Sequence, residues 1–242
     1  MERGKVDEIV NATVPTPGWW LVTLTGLLAA GVCAASVVGL ATRQRYLLSR
    51  LNLLGTFVHE GGHALVSVLT GGGVYRFEIF SPDSGVTWTW YRSRLSVIAS
   101  TAAGYAMPPL AGLGTASLLH RGHAAAVLTL TVAAAAVLLF VSRDLLTLAV
   151  VAGIGLSAFA ALAWAPGWLQ TVLAYTEAWL LLTSELAGLG HLVAARLHGE
   201  VSDTDDAASL AGETHIPGPI WITAWLALIL WATWKAFPLL WP

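Results

Sequence analysis

Long apolar runs dominate this chain and limit what it can fold into. Residues 19–41 form the first, 47–70 the second, 95–119 the third and 124–141 the fourth. The fifth covers 145–164, the sixth 168–190 and the seventh 216–239. A helix needs roughly 20 mostly apolar residues to cross the hydrocarbon core of a bilayer. Charged residues make up 11% of the chain, against about 25% in a soluble globular domain, too few to cover a water-exposed surface. The sequence therefore predicts an all-α membrane protein, a polytopic bundle of about six or seven transmembrane helices.

Residues 1–18 read as an N-terminal tail and 19–242 as one transmembrane domain. Acidic and basic residues mix in the tail and the first apolar run is long, so it reads as a retained span and not as a cleaved signal peptide. Several of the twelve tryptophans mark helix ends: Trp19, Trp20, Trp164, Trp168, Trp221 and Trp241 fall where an amphipathic ring prefers the interface. Trp179 and Trp231 are expected to pack between helices. A net charge of -2 offers no basic face, so no nucleic-acid partner is expected. The lone Cys33 supports neither an internal disulfide nor a thiolate metal site.

Two segments do not read as spans. Residues 74–90 are rich in β-branched and aromatic side chains around Ser81-Pro82-Asp83-Ser84-Gly85, the signature of a β-hairpin. Residues 197–215 form a polar stretch holding Asp203, Asp205, Asp206 and Glu213. With seven crossings, the hairpin and the loops after the fourth and sixth spans share one side of the membrane. Arg43, Arg45 and Arg50 favour a cytoplasmic first loop, while Arg76, Arg92 and Arg94 on the hairpin side oppose that bias.

Inside the second run lies His59-Glu60-Gly61-Gly62-His63. The spacing i, i+4 puts two imidazoles on one helix face, where both can reach one metal ion, with a carboxylate beside them to act as general base. Three ionisable groups within five residues of a membrane helix need partners, and a cation is the most economical. Zn2+ is the expected cofactor, because imidazole is a usual zinc ligand. Two histidines leave that site short of a protein ligand. Candidates are Asp144, Asp203, Asp205 and Asp206, with His191, His198 and His215 as further options. Asp206 could instead cap a short helix over 207–211, and Asp144 could cap the fifth span. Gly61 and Gly62 either pack helices closely or leave room for a substrate backbone. Together with Phe77 and Ile79 of the hairpin they are assigned to substrate binding, since a sheet edge can hold an extended peptide.

The stretch from Val58 to Trp88 resembles the metal-binding helix and following hairpin of the site-2-protease class of membrane zinc metallopeptidases. More narrowly, it is similar to a bacterial and plant branch of small peptidase-like proteins. His59-Glu60-Gly61-Gly62-His63-Ala64 matches that branch's HExGHA, and Ser84-Gly85-Val86-Thr87 its SGxT. Ala103-Gly104-Tyr105 and Asp205-Asp206-Ala207 match its later motifs. The resemblance implies a multi-pass protein of the bacterial cell membrane that cleaves membrane proteins or peptides. His59 and His63 would be ligands, Glu60 the base and Asp206 the third ligand, with Asp144 as runner-up. Well-studied members take that ligand from an Asp-Gly on a later core helix, and this chain has no Asp-Gly. A metal-binding membrane protein that does not cleave (a sensor, chaperone or transporter) is the alternative.

Overall fold

The computed structural model describes residues 13–15, 17–42, 47–202 and 204–242. Among them, eight α-helices and one hairpin form a membrane bundle. In chain order they are α1 (Trp19–Thr42), a 3-10 turn (Leu48–Asn52), α2 (Leu53–Leu69), β1 (Gly73–Ser81) and β2 (Ser84–Trp90). There follow α3 (Arg94–His120), α4 (Ala124–Leu139), α5 (Leu145–Trp164), α6 (Gly167–His198), α7 (Asp206–Thr214) and α8 (Gly218–Leu240).

Four of these helices are long and apolar enough to cross a membrane unaided: α1, α5, α6 and α8. The other three expected spans differ for separate reasons. α4 is apolar but has only 16 residues. α3 has 27 residues, yet it carries the serines, threonines, glycines and prolines that pack the centre of the bundle. The second run does not form a crossing. Its first turn is the 3-10 segment, where Leu48 touches Gly31 midway along α1, and α2 itself has 17 residues.

Contacts along the helices give their directions. Gly26 and Gly31 of α1 meet Trp179 and Leu48 in turn, and Gly55 and His59 of α2 meet Ser184 and Glu185 of α6. Helices α1, α2 and α6 therefore run the same way. α3 runs against them, with Gly112 beside Leu182 and Tyr105 beside Gly188. At one end of the bundle the Val14 N–H donates to the Gly122 carbonyl (2.9 Å), and Gly167 approaches Val14. At the other end lie the hairpin base, the α4–α5 turn and the whole of α7. The expectation that these three segments share a side holds, but α2 does not bring the chain across.

The polar stretch 197–215 is also more ordered than a loop. α6 continues to His198 and stops at Gly199, whose φ of 72° only glycine adopts freely. A nine-residue helix then starts at Asp206. Its N-cap is Asp205, not Asp206: the Asp205 carboxylate accepts the Ala208 N–H at 2.8 Å.

The hairpin lies along α2. Its tip is held at the N-terminal end, where Asn52 Nδ2 donates to Asp83 Oδ1 (2.8 Å) and Thr56 Oγ1 to the Pro82 carbonyl (2.5 Å). Its base is held by the Ser67 hydroxyl, 3.2 Å from the Trp90 carbonyl. Irregular backbone at membrane depth persists only where protein or a wet cavity satisfies it, and β1 meets that condition on both edges. One edge pairs with β2, and on the other Phe77 N donates to the Val141 carbonyl (3.1 Å) and Ile79 N to Thr147 Oγ1 (2.8 Å). Phe77 and Ile79 are fully buried among Phe57, Leu138 and Val151. They are core residues, which corrects their assignment to substrate binding.

Tryptophan placement follows the interfacial reading for Trp19, Trp20, Trp164 and Trp168, all of which are exposed near helix ends. Trp179 packs inside against Phe237, whereas Trp231 faces outwards, contrary to expectation.

Candidate active site

α2 carries its motif on the face turned to α3, α6 and α7. The His59 and His63 rings lie edge to face, with centroids 5.0 Å apart. Each ring is fixed through Nδ1. His59 Nδ1 is 3.1 Å from Glu185 Oε2 on α6, and His63 Nδ1 is 2.8 Å from the Ser100 carbonyl on α3. Both partners are acceptors, so each Nδ1 carries a proton, and in the neutral ring each Nε2 presents a bare lone pair. The Ser100 hydroxyl also donates back to the His63 carbonyl (2.8 Å), locking α3 against α2 at this level.

A third acceptor faces those lone pairs. Asp206 Oδ2, on the first residue of α7, lies 3.3 Å from His59 Nε2 and 3.4 Å from His63 Nε2. Burial raises the Asp206 pKa, but the His63 and His59 rings, when protonated, outweigh it and hold the carboxyl well below the usual carboxylate range. With both rings neutral, three acceptors converge with no donor between them, an arrangement that suits a cation. Its spacing suits a metal: a tetrahedral ion with bonds of about 2.0–2.1 Å separates its donors by about 3.3–3.4 Å. The donor set of two imidazoles and one carboxylate leaves a fourth position free. The His59, Glu60 and His63 donor atoms also lie within 4.8 Å of one another.

Glu60 is buried beside this centre, and its partner comes from β2. The Thr87 hydroxyl is 2.7 Å from Glu60 Oε2 and 3.0 Å from the Glu60 carbonyl. Its single proton serves either oxygen, and Oε1 stays free of it.

Close approach around the site depends on glycines other than the expected pair. A Cβ on Gly61 would meet Leu138 of α4 at 3.4 Å, and one on Gly62 would press on Met107 and the Ala103 carbonyl of α3. Both glycines pack helices, so neither makes room for substrate, a second correction to the binding assignment. The room comes from Gly104 and Gly85. A Cβ on Gly104 would lie 2.5 Å from His63 Nε2 and 2.6 Å from His59 Nε2; one on Gly85 would lie 2.7 Å from Glu60 Cγ. Next to Gly104, the Tyr105 ring packs edge-on to His59, centroids 4.7 Å apart.

Of the other ligand candidates, Asp144 caps α5 by accepting the Thr147 N–H (2.9 Å) and is held below its usual pKa by the Thr147 hydroxyl and N–H. Asp205 is paired to Arg196 (2.9 Å). His198 bonds the Ala194 carbonyl, His215 ends α7, and the buried His191 Nε2 has no partner. Asp203 lies outside the described residues. Among the described carboxylates, only Asp206 is within 3.5 Å of both Nε2 atoms.

The pair opens on a cavity of about 360 Å³. Thr56, Tyr91, Tyr105 and Ser209 line it, as does β2 through Ser84, Gly85, Val86 and Thr87. Glu185 and Ser100 played no part in the sequence reading. Glu185 did leave a signal, a carboxylate in the middle of an apolar helix; Ser100 acts through its carbonyl, which side-chain identity cannot reveal.

A polytopic helical membrane protein with an H-E-x-x-H site enclosed by its bundle is the class that fold and site define. The family model described as Peptidase M50B-like matches residues 16–236, and the chain belongs to that family, within the site-2-protease class. No curated protein and no solved structure matches it.

Proposed function

We propose that this protein is a zinc-dependent intramembrane peptidase, cutting peptide bonds of membrane proteins within or near the bilayer. The observation that carries the reading is the 3.3 and 3.4 Å spacing of Asp206 Oδ2 from the two Nε2 atoms, with Glu60 alongside. His59, His63 and Asp206 would hold the ion. When bound, zinc polarises the scissile carbonyl and lowers the pKa of a water towards ~7.

The rest of the chemistry belongs to the chain. Glu60 takes a proton from the attacking water as its oxygen bonds to the carbonyl carbon. It then delivers that proton to the amine nitrogen as the C–N bond breaks. Thr87 positions Glu60 by holding Oε2, so that Oε1 faces the reacting proton. A substrate helix must be extended before its carbonyl can reach these groups. β2 is the strand to receive it, because the α4–α5 turn and α5 already occupy the outer edge of β1, and a peptide added to β2 would lie along the cavity wall. The setting proposed with it is the membrane of a bacterial cell and the partner a membrane protein or peptide, as the likeness of the His59–Ala64 and Ser84–Thr87 motifs to the small peptidase-like branch implies.

Glu60→Gln tests this directly. The variant keeps the ligands and removes the base, so purified Glu60→Gln should retain wild-type metal content and lose at least ~10²-fold in cleavage of a reconstituted membrane substrate. Wild-type turnover in the metal-loaded variant would refute the mechanism.

A further inference from the structure

We propose that Glu185, a carboxylate on α6, is a positioning residue that sets both the tautomer of His59 and the affinity of the site for its metal. This builds on the reading of His59, His63 and Asp206 as ligands but does not require that the protein cleave anything.

Glu185 sits in a helix of 32 residues, is buried, and has its Oε2 3.1 Å from His59 Nδ1. That oxygen approaches the ring nitrogen turned away from Asp206, so Glu185 is not itself one of the converging donors. Two features show that the space is shaped for this contact. Gly188, one turn further along α6, would with a Cβ crowd the Tyr105 ring at 3.0 Å and come within 3.4 Å of Glu185 Oε2. Tyr105 closes the other side of His59. The ring is thus held by a carboxylate and an aromatic edge from two different helices.

A buried carboxylate in a bilayer-spanning helix is costly without a partner. His59 is that partner, and the gain goes to the metal. A carboxylate accepting from Nδ1–H places the neutral ring's proton on Nδ1, makes Nε2 a more basic donor to a metal and fixes the direction of its lone pair. Ser100 does the same for His63 through a neutral carbonyl. The two ligands are therefore held unequally, with the stronger, charged hold on His59.

Co2+ titration of the purified, metal-free protein, followed by its visible absorption bands, reads this without any substrate. Glu185→Ala should weaken Co2+ binding by about 10–100-fold, the usual cost of losing such a partner. Glu185→Gln keeps an acceptor but not the charge, and should fall between Ala and wild type. Glu177→Gln removes the other carboxylate of α6, which pairs with Thr131 (2.6 Å) two turns away, and should bind Co2+ as wild type does. Should the alanine variant not fold, the order wild type, then Gln, still decides. Wild-type Co2+ affinity in Glu185→Gln and Glu185→Ala would overturn the proposal, as would an equal loss in Glu177→Gln. A wild-type protein that binds Co2+ tightly yet cleaves nothing would instead refute the peptidase reading and leave the role of Glu185 standing.

Discussion

At the scale of single residues, the site depends as much on a missing side chain as on those present. Gly104 brings the α3 backbone against both imidazoles, and any Cβ there would occupy the space of Nε2 on each ring. Those rings are tied at Nδ1 to Glu185 and Ser100 and cannot swing clear without breaking a hydrogen bond. Gly104→Ala should therefore leave a folded protein whose metal content falls at least ~10-fold, by analogy with the loss of a ligand-orienting contact. Gly61→Ala is the matched control. Its methyl meets Leu138 at an ordinary 3.4 Å, and alanine in a helix gains up to ~1 kcal/mol over glycine. That variant should keep its metal, as measured by elemental analysis of the purified protein. The reversal of roles between these glycines shows what spacing alone can tell. Helical periodicity makes His59 and His63 neighbours without any knowledge of the fold. Which glycine faces the rings depends on how α3 packs, with Gly104 lying 41 positions beyond His63, and no local pattern reports it.

Among the elements, α7 is the one that completes the site, and it is anchored in two ways. Ala207 and Leu210 are fully buried against Tyr105, Leu189 and Trp225. Arg196 at the end of α6 grips Asp205 with one nitrogen 2.9 and 3.2 Å from its two oxygens, while Asp205 caps α7. Asp205→Ala removes cap and grip together. The lost cap alone costs α7 about 0.5–2 kcal/mol. Co2+ affinity should drop several-fold, because Asp206 follows directly on the loosened turn. Glu213→Ala removes the exposed ion pair with Arg94, worth about 0–1 kcal/mol, and should change Co2+ affinity less than two-fold. Equal effects from the two variants would show that the anchor at Asp205 has no special part in placing Asp206. Much at this scale was legible: both strands, a short helix at 207–211 as one reading of the polar stretch, and Asp206 as a carboxylate to look for beside the imidazoles. The hairpin's working edge was not. Alternation marks two faces of a strand, whereas whether Phe77 and Ile79 touch substrate or core turns on the α4–α5 segment crossing β1.

For the molecule as a whole, the parallel course of α1 and α2 decides which way the site faces. The chain passes through the bundle in α1, α3, α4, α5, α6 and α8, so the Val14 end and the C-terminus lie together, opposite the hairpin base and α7. Exposed arginines gather at the site's end: among the described residues Arg76, Arg92, Arg94 and Arg143 lie there, against Arg121 and Lys235 at the other, with Arg50 between them on the 3-10 turn. An excess of Lys and Arg in short loops marks the cytoplasmic side, while acidic residues count for little. The site should therefore open towards the cytoplasm, with the C-terminus outside. In a Cys33→Ala background, a cysteine introduced at Ser202, an exposed residue between α6 and α7, should resist a membrane-impermeant maleimide added to intact cells and react once they are permeabilised. A cysteine replacing Pro242 should react in both cases. The opposite pattern would put the metal centre on the outer side and require substrates to be presented from there.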